Sequence, residues 1–413
     1  MSDILNVSDN ESAKIAPEIT ILNYQEKLEE VVELIKIADF VCVDTTVETT
    51  GRLLKNEKFN PVYMNDHLDC SGKWYDSIKE TEKYYCLLDV GIAIFKRCPD
   101  KAQELETEVF NIPILPASID DNEFARFRGN TWTRVSFEGY GQEFVNLVEF
   151  NVNKSFYMGA PFLNKNLQKR ADDYMIENPD FMVTRRKRQL NPNLMPVTYK
   201  ELKEKERKII IDRLKGVSKI FEAISHFKIP IIGHHLLLKL IYIYKDFIEY
   251  LPDTYTKCIK NIRKLFPLIY DTKQLALDLS SLSKIPWSYR ERLVGDKLYE
   301  LLRKINIPKD LQSYTVFLRD SCEDYVDDVT DICNGHILEL NPITSHCYAA
   351  GFDALVSGLV FLDLVSITQQ IGVDLGAGKE ACKDYLQMFL KGCPKKLKNR
   401  IYGEPSATRM FYQ

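Results

Sequence analysis

The sequence lacks any Cys-x-x-Cys pair: its ten cysteines, at 42, 70, 86, 98, 258, 322, 333, 347, 382 and 393, are scattered, several of them inside apolar segments. This spacing indicates neither a zinc site nor a disulfide framework and fits reduced, buried thiols. An excess of one charge sign is also missing. A net charge of −4 and a pI near 6.0 exclude a protein that holds nucleic acid by bulk positive field, so any such contact must be a local patch. Long apolar runs are scarce. The cleanest, Ala354 to Leu362, is bounded by Asp353 and Asp363, far short of the ~20 residues that a membrane span needs. The first 14 residues carry Asp3, Asp9 and Glu11 and have neither the basic nor the apolar region of a signal peptide. A soluble intracellular protein, cytoplasmic or nuclear and without a membrane partner, is therefore expected. No internal repeat or low-complexity tract is found.

What is present is the composition of a globular chain with a sizeable core: 413 residues, 45% hydrophobic and 28% charged. Asn23 with Glu26 three residues on suggests a capping box, and Leu28, Val31, Val32 and Ile35 follow at helical spacing before the strand-like Phe40-Val41-Cys42-Val43-Asp44. Further strands are expected at 84–96, 109–115 and 229–232, which are β-branched or aromatic and bounded by Gly, Pro or Asn. A mixed sheet results. The basic, Asn- and Pro-rich stretch 163–198, with Arg185-Arg186-Lys187-Arg188, reads as a loop or connector, and Thr198 with Glu201 reads as the start of the next helix. Helices are expected over 234–250, 315–333, 349–368 and 379–390.

Several separated segments, in order, resemble the poly(A)-specific ribonuclease family, the Caf-type branch of the DEDD exonucleases, over about residues 20–402. They are Ala38-Asp39-Phe40-Val41-Cys42-Val43-Asp44, Phe110-Asn111-Ile112-Pro113, 150–164 (FNVNKSFYMGAPFLN), Ile232-Gly233-His234-His235-Leu236-Leu237-Leu238, Tyr270-Asp271-Thr272-Lys273 and Ala350-Gly351-Phe352-Asp353 running on to Gly358. The resemblance implies a ribonuclease H-like α/β fold, a mixed central sheet flanked by helices, closing on single-stranded RNA 3′ ends, often as a homodimer. It divides the chain into a flexible N-terminus (1–20), a first part of the nuclease-like domain (21–164), a connector (165–197), a second part of the same domain (198–402) and a tail (403–413). About 70 residues separate Leu163 from Gly233, too few for the RNA-binding domain that some relatives insert there, and no appended domain or tail anchor is expected.

Such nucleases hold two divalent metals with four carboxylates, which activate water and stabilise the leaving oxygen. Two come from one strand as Asp-x-Glu, because residues i and i+2 share a face. Here that strand reads Asp44-Thr45-Thr46, so Thr46 stands where the family pattern has Glu. Lys239 stands at the third acid, Asp353 keeps the fourth, and Tyr348 replaces the histidine that assists water activation. The family charge of −4 at these four ligand positions becomes −1, which leaves two metals poorly compensated. The expectation is that the Lys239 ammonium sits where metal charge belongs and pairs with Asp44 and Asp353. Glu48 and His346 are the residues that could restore a ligand set by a shift of register, but Glu48 lies ~13 Å along an ideal strand from Asp44 and would need a bulge.

Each further residue has a plain reading beside the sharp one. His234 and His235 suggest RNA or metal contacts, or simply packing and capping. Lys273 matches a family lysine near the RNA path, or is a solvated lysine; Asp271 reads as a structural hydrogen-bonding acid. Arg185 to Arg188 could follow a phosphate backbone or be solvated. Asp320, Glu323, Asp324, Asp327, Asp328 and Asp331 could face a basic partner or water. Two functions follow. The first is a pseudonuclease that needs no cofactor and serves as an RNA-binding or scaffold factor, with a protein partner, in RNA 3′-end processing or small-RNA biology. The second is an active Mg²⁺-dependent 3′–5′ exoribonuclease using Asp44, Glu48, Asp353 and His346.

Overall fold

Strand alternation sets out the architecture. Along β1 (Phe40–Thr49), Val41 and Val43 enter one apolar core while Phe40 and Cys42 enter a second, all fully buried, so the strand is covered on both faces. The computed structural model describes residues 18–20, 22–49, 71–81, 85–99, 101–114, 159–177, 182–183, 197–198, 203–282, 314–318, 350–370, 385–391 and 397–402. Within these, β1 belongs to a six-stranded mixed sheet with β2 (Tyr85–Cys98), β3 (Lys101–Pro113), β6 (Ile231–Gly233), β7 (Ile269–Asp271) and β8 (Thr315–Leu318), in the order β7-β6-β1-β2-β3-β8. The β1/β2 and β2/β3 pairs are antiparallel, and β7, β6 and β1 run parallel. A separate two-stranded ladder joins β4 (Met182–Val183) to β5 (Val197–Thr198).

The Val41/Val43 face is covered by α1 (Tyr24–Lys36), α2 (Ser71–Thr81), α5 (Ser218–Phe227), α6 (Leu236–Ile243) and α7 (Tyr255–Leu265), through Val31, Tyr75, Phe221, Leu240 and Ile262 among others. A π-turn, Tyr244–Ile248, continues α6. The Phe40/Cys42 face is covered by α8 (Thr272–Leu282), α9 (Ala350–Gln370) and α10 (Tyr385–Leu390) through Leu275, Leu355 and Phe389. Phe40 stacks on Phe95 at 4.6 Å and meets the edge of Phe361 at 5.4 Å; each such fully buried ring contributes ~1.5–3 kcal/mol. Helix α9 is apolar around most of its circumference, as a core helix is, with Asp353 and Asp363 as its charged residues. It is long and apolar enough to cross a membrane, but 78% of its most apolar window is inside the fold.

The mixed sheet flanked by helices agrees with the expectation; several local readings do not. Asn23 does not cap α1: its carboxamide accepts from the Thr20 N–H at 2.8 Å and donates to the Glu18 carbonyl, folding the turn before the helix. Thr198 lies in β5, and the next helix, α4, spans Glu204–Leu214, where the Glu206 carboxylate accepts from the Lys203 N–H. The connector opens with helix α3 (Lys165–Glu177), tied to α4 by the Arg207–Asp172 ion pair at 3.0 Å. Thr315–Leu318 is a strand added to β3, not the start of a helix. The Arg185–Arg188 run and the acidic cluster at 320–331 lie outside the described residues.

Candidate functional site

The site forms at the carboxyl ends of β6 and β7 and beside the middle of the longer β1; the ends of parallel strands are where open α/β sheets place their ligands. Asp44 follows Phe40 and Cys42 by strand parity and so faces α9. Its Oδ1 accepts from the Thr45 N–H at 2.6 Å, and its Oδ2 accepts from the Lys239 ammonium at 2.5 Å. Both side chains are mostly buried, with 10% and 22% of their surface exposed, so the pair is only weakly screened.

Lys239 owes its place to a second acid. After β6 the chain turns at His235, which sits in the left-handed region at φ 56°, and enters α6. Asp271, buried at the end of β7, accepts four backbone N–H groups: those of His235 and Lys273 at Oδ1, and those of Leu236 and Tyr402 at Oδ2, at 2.9–3.1 Å. One carboxylate thus fixes the start of α6, the start of α8 and the returning segment at 402. This is the structural role expected for Asp271. Burial pushes its pKa up while backbone N–H groups, those of Leu236, Tyr402 and His235 among them, pull it back.

Asp353 arrives by a different route. Gly91 lies opposite Asp44 in β2, and a Cβ on Gly91 would lie 1.8 Å from the Ala350 carbonyl, so the first turn of α9 rests directly on bare backbone. Asn111, the next residue across the sheet, accepts from the Gly351 N–H at 3.1 Å and donates to Asp89 Oδ2 at 3.0 Å. The Asp89 carboxylate therefore lies, through Asn111, beneath the positive end of α9. Asp353 itself is exposed and makes no ion pair with Lys239 among the described residues; the expected three-way pairing is a two-way one. Desolvation first, then repulsion from Asp44, raises its carboxyl to about 7 against the pull of Lys239.

Thr46 is half-buried and pairs with Asp89. A bulge follows it, but the extra residue is Leu88 on β2, since Thr46 pairs with Asp89 and Val47 with Leu87. The strand carrying Glu48 stays regular, so its backbone is not drawn back towards Asp44. His346 and Tyr348 lie outside the described residues. Asp89, Asn111 and Gly91 escaped sequence reasoning. Only the Phe110-Asn111-Ile112-Pro113 match gave a signal for Asn111, and none marked what it holds.

The histidines and Lys273 gather beside Lys239. His234 Nδ1 lies 3.0 Å from Thr272 Oγ1, and burial, with Lys239, Lys273 and His235 nearby, lowers its pKa to about 3, so the ring is neutral. His235 meets the Tyr402 ring edge-on at 5.0 Å, and the buried Lys273 places its ammonium 4.3 Å from the centre of the same ring. Among the described residues no three His, Cys, Asp or Glu side chains come together as a metal needs. Among the described residues the donor set therefore does not suit a pair of divalent ions: Asp44 already holds an ammonium and a backbone N–H.

A family model described as CAF1 family ribonuclease matches residues 19–361. The chain belongs to that family. Membership bears out the ribonuclease H-like reading of the sheet. The CAF1-family chain is 21% identical over 367 residues to human poly(A)-specific ribonuclease PNLDC1, covering 73% of this chain and 64% of that protein. It is 22% identical over 347 residues to the Bombyx mori pre-piRNA 3′-exonuclease trimmer, covering 68% and 62%. It thus spans somewhat less than two thirds of either relative. Among solved structures, the RNase domain of yeast Pop2 is 8% identical with a TM-score of 0.43, covering 86% of this chain and 88% of that one. The S. pombe Pop2p structure in its Mg²⁺- and Mn²⁺-bound form is 12% identical with a TM-score of 0.42, covering 94% and 98%.

Proposed function

We propose that this chain is a non-hydrolytic CAF1-family protein that holds single-stranded RNA 3′ ends and serves as a binding or scaffold subunit in RNA 3′-end processing or small-RNA biology. The observation that carries the reading is the Lys239–Asp44 ion pair at 2.5 Å, an internal cation on the acid that opens the family's metal-binding strand. Two-metal hydrolysis requires anionic ligands to bring the ions together. Here Thr46 is uncharged, Lys239 is cationic, and the carboxyl of Asp353 takes up a proton near neutral pH. Relatives named as a poly(A)-specific ribonuclease and as a pre-piRNA 3′-exonuclease trimmer support the RNA assignment. The same reading includes a protein partner and self-association, the latter decided by light scattering on the purified chain.

Incubation with labelled oligo(A) and Mg²⁺ or Mn²⁺ tests hydrolysis. The expected result is an intact oligonucleotide; shortening that disappears in Asp44→Ala overturns the proposal and favours the Mg²⁺-dependent exonuclease. Millimolar Mg²⁺ is expected to leave the melting temperature unchanged, because only a ligand that binds the folded state raises it.

A further inference from the structure

Helix α7 carries Lys257, Lys260, Arg263 and Lys264 and no acidic residue. Its apolar side, Cys258, Ile259 and Ile262, is buried in the core, so Lys257, Lys260 and Lys264, three and four residues apart, share the exposed face. Elsewhere the fold neutralises helical lysines locally: Lys27 pairs with Glu30 at 2.6 Å, Lys36 with Glu33 at 3.4 Å, Lys208 with Glu204 at 2.6 Å and Lys219 with Asp212 at 2.8 Å. The three lysines of α7 have no ion pair among the described residues, and Asp253, the acid just before the helix, lies 4.0 Å from Lys79 of α2. Lys264, in the last turn, suits the negative end of the helix dipole. Lys257 opposes the dipole. It is the third residue of the helix, where its N–H donates to the Thr254 hydroxyl at 3.4 Å and where an acid would complete the cap. Repulsion between cations three and four residues apart adds to that cost. Among the described residues nothing offsets it, so this face suits an external anion.

The surroundings narrow the kind of anion. A helix that lies on a lipid surface needs a free apolar face, and that of α7 is already buried. Its carboxyl end leads towards the candidate site. Arg263 donates to the Asn399 carbonyl at 3.2 Å, and Asn399 bonds to Pro267 and to Ile269 at the start of β7. Three residues on, at most ~11 Å of chain, Tyr402 donates to Asp271 and its ring meets His235. Lys398, next to Asn399, also has no ion pair among the described residues. A polymer engaged at the site can therefore run on over α7. We propose that Lys257, Lys260 and Lys264 form a docking face for the phosphate backbone of single-stranded RNA, holding the body of the strand away from its end. The proposal rests on the RNA-binding reading above and adds a second surface that responds to charge and not to sequence. In a chain of net charge −4 it is the local basic patch that such binding requires.

Fluorescence anisotropy on the full chain, in EDTA and over a range of salt, tests this with oligo(A) probes of ~5 and ~30 nucleotides, chosen to fall at the short end of and beyond the usual single-strand site sizes. The expected result is that the wild type binds the long probe about tenfold more tightly than the short one at low salt. The triple variant Lys257→Gln, Lys260→Gln, Lys264→Gln should lose that gain and bind the short probe as the wild type does. For the long probe, the slope of log affinity against log salt should become shallower by about 2 in the variant, at ~0.7 per phosphate contact on a single strand. The melting temperature is expected not to fall, because the changes relieve like-charge neighbours on an exposed face. Equal affinity of the wild type for both probes, or equal long-probe affinity and slope in wild type and folded variant, overturns the docking face and leaves the RNA-binding proposal standing. No binding of either probe overturns both. If the variant keeps the long probe but loses a labelled polyglutamate that the wild type binds, the occupant is an acidic protein and RNA is overturned for this face. The length comparison needs no variant, so misfolding cannot hide the answer.

Discussion

Two buried aspartates lie on the parallel strands that flank β6, Asp271 at the end of β7 and Asp44 midway along β1, and they are satisfied in opposite ways. Asp271, on β7, spreads its charge over four backbone N–H groups from three segments. Asp44, on β1, takes one backbone N–H and one ammonium. The first arrangement is distributed and structural: every donor is a backbone N–H, so exchanging no single donor residue's side chain undoes it. The second concentrates compensation in one residue, Lys239, so a single codon decides whether the acid faces a protein cation or is available to another ion.

The largest expected effect breaks the distributed case. Asp271→Asn keeps the shape but turns an amide NH₂ towards two of the four N–H donors; a loss of about 3 kcal/mol or more is expected in chemical denaturation, since each orphaned buried donor costs ~1–3 kcal/mol. Lys239→Met probes the concentrated case. It strands the Asp44 charge, and because the lysine side chain is 22% exposed the expected cost is about 2 kcal/mol, below the range for a fully buried pair. The double change Lys239→Met with Asp44→Asn should recover most of that loss in a double-mutant cycle. Additivity of the two single changes would contradict the coupling.

The smallest effects sharpen the comparison through pH. His234, held near 3 against an ordinary 6.5, is neutral when folded. The unfolded chain therefore binds the extra proton, and stability falls as pH drops from 6.5 towards 3. Asp353, raised to about 7 from 3.8, has the opposite sign: the folded protein binds the extra proton, so its contribution is full below about 4 and is lost as pH rises through 7. Asp363, also raised to about 7 by burial, acts in the same sense. Melting scans between pH 4 and 8 should show the acid-side loss shrink in His234→Gln, and the loss towards pH 8 shrink only in part in Asp353→Asn.

The parts of this site that were legible in the sequence are those carried by segments that resemble the family's. Asp44 was placed by the match over 38–44, and Lys239 by its position just after the match at 232–238. The rest depends on contacts that short motifs cannot carry. Asn111 holds Gly351 from 240 residues away, and Gly91 has no side chain to signal the helix resting on it. Thr315–Leu318 was read as helix because the stripe that begins at 320 runs on from it; pairing with β3 overrode that local pattern. Helix α3 escaped notice because its sequence, KNLQKRADDYMIE, has little apolar stripe: Ala171 is buried while Ile176 is 56% exposed.

The fourth N–H on Asp271 comes from Tyr402, 131 residues downstream. During synthesis, the helix that bears Lys239 therefore emerges long before its last anchor is made. Such late closure raises the contact order of this edge of the sheet and slows its maturation. A nascent chain halted before residue 397 would display the Asp44 strand and α6 in an unfinished state, so this end of the sheet gains its shape only after residues 397–402 have been made.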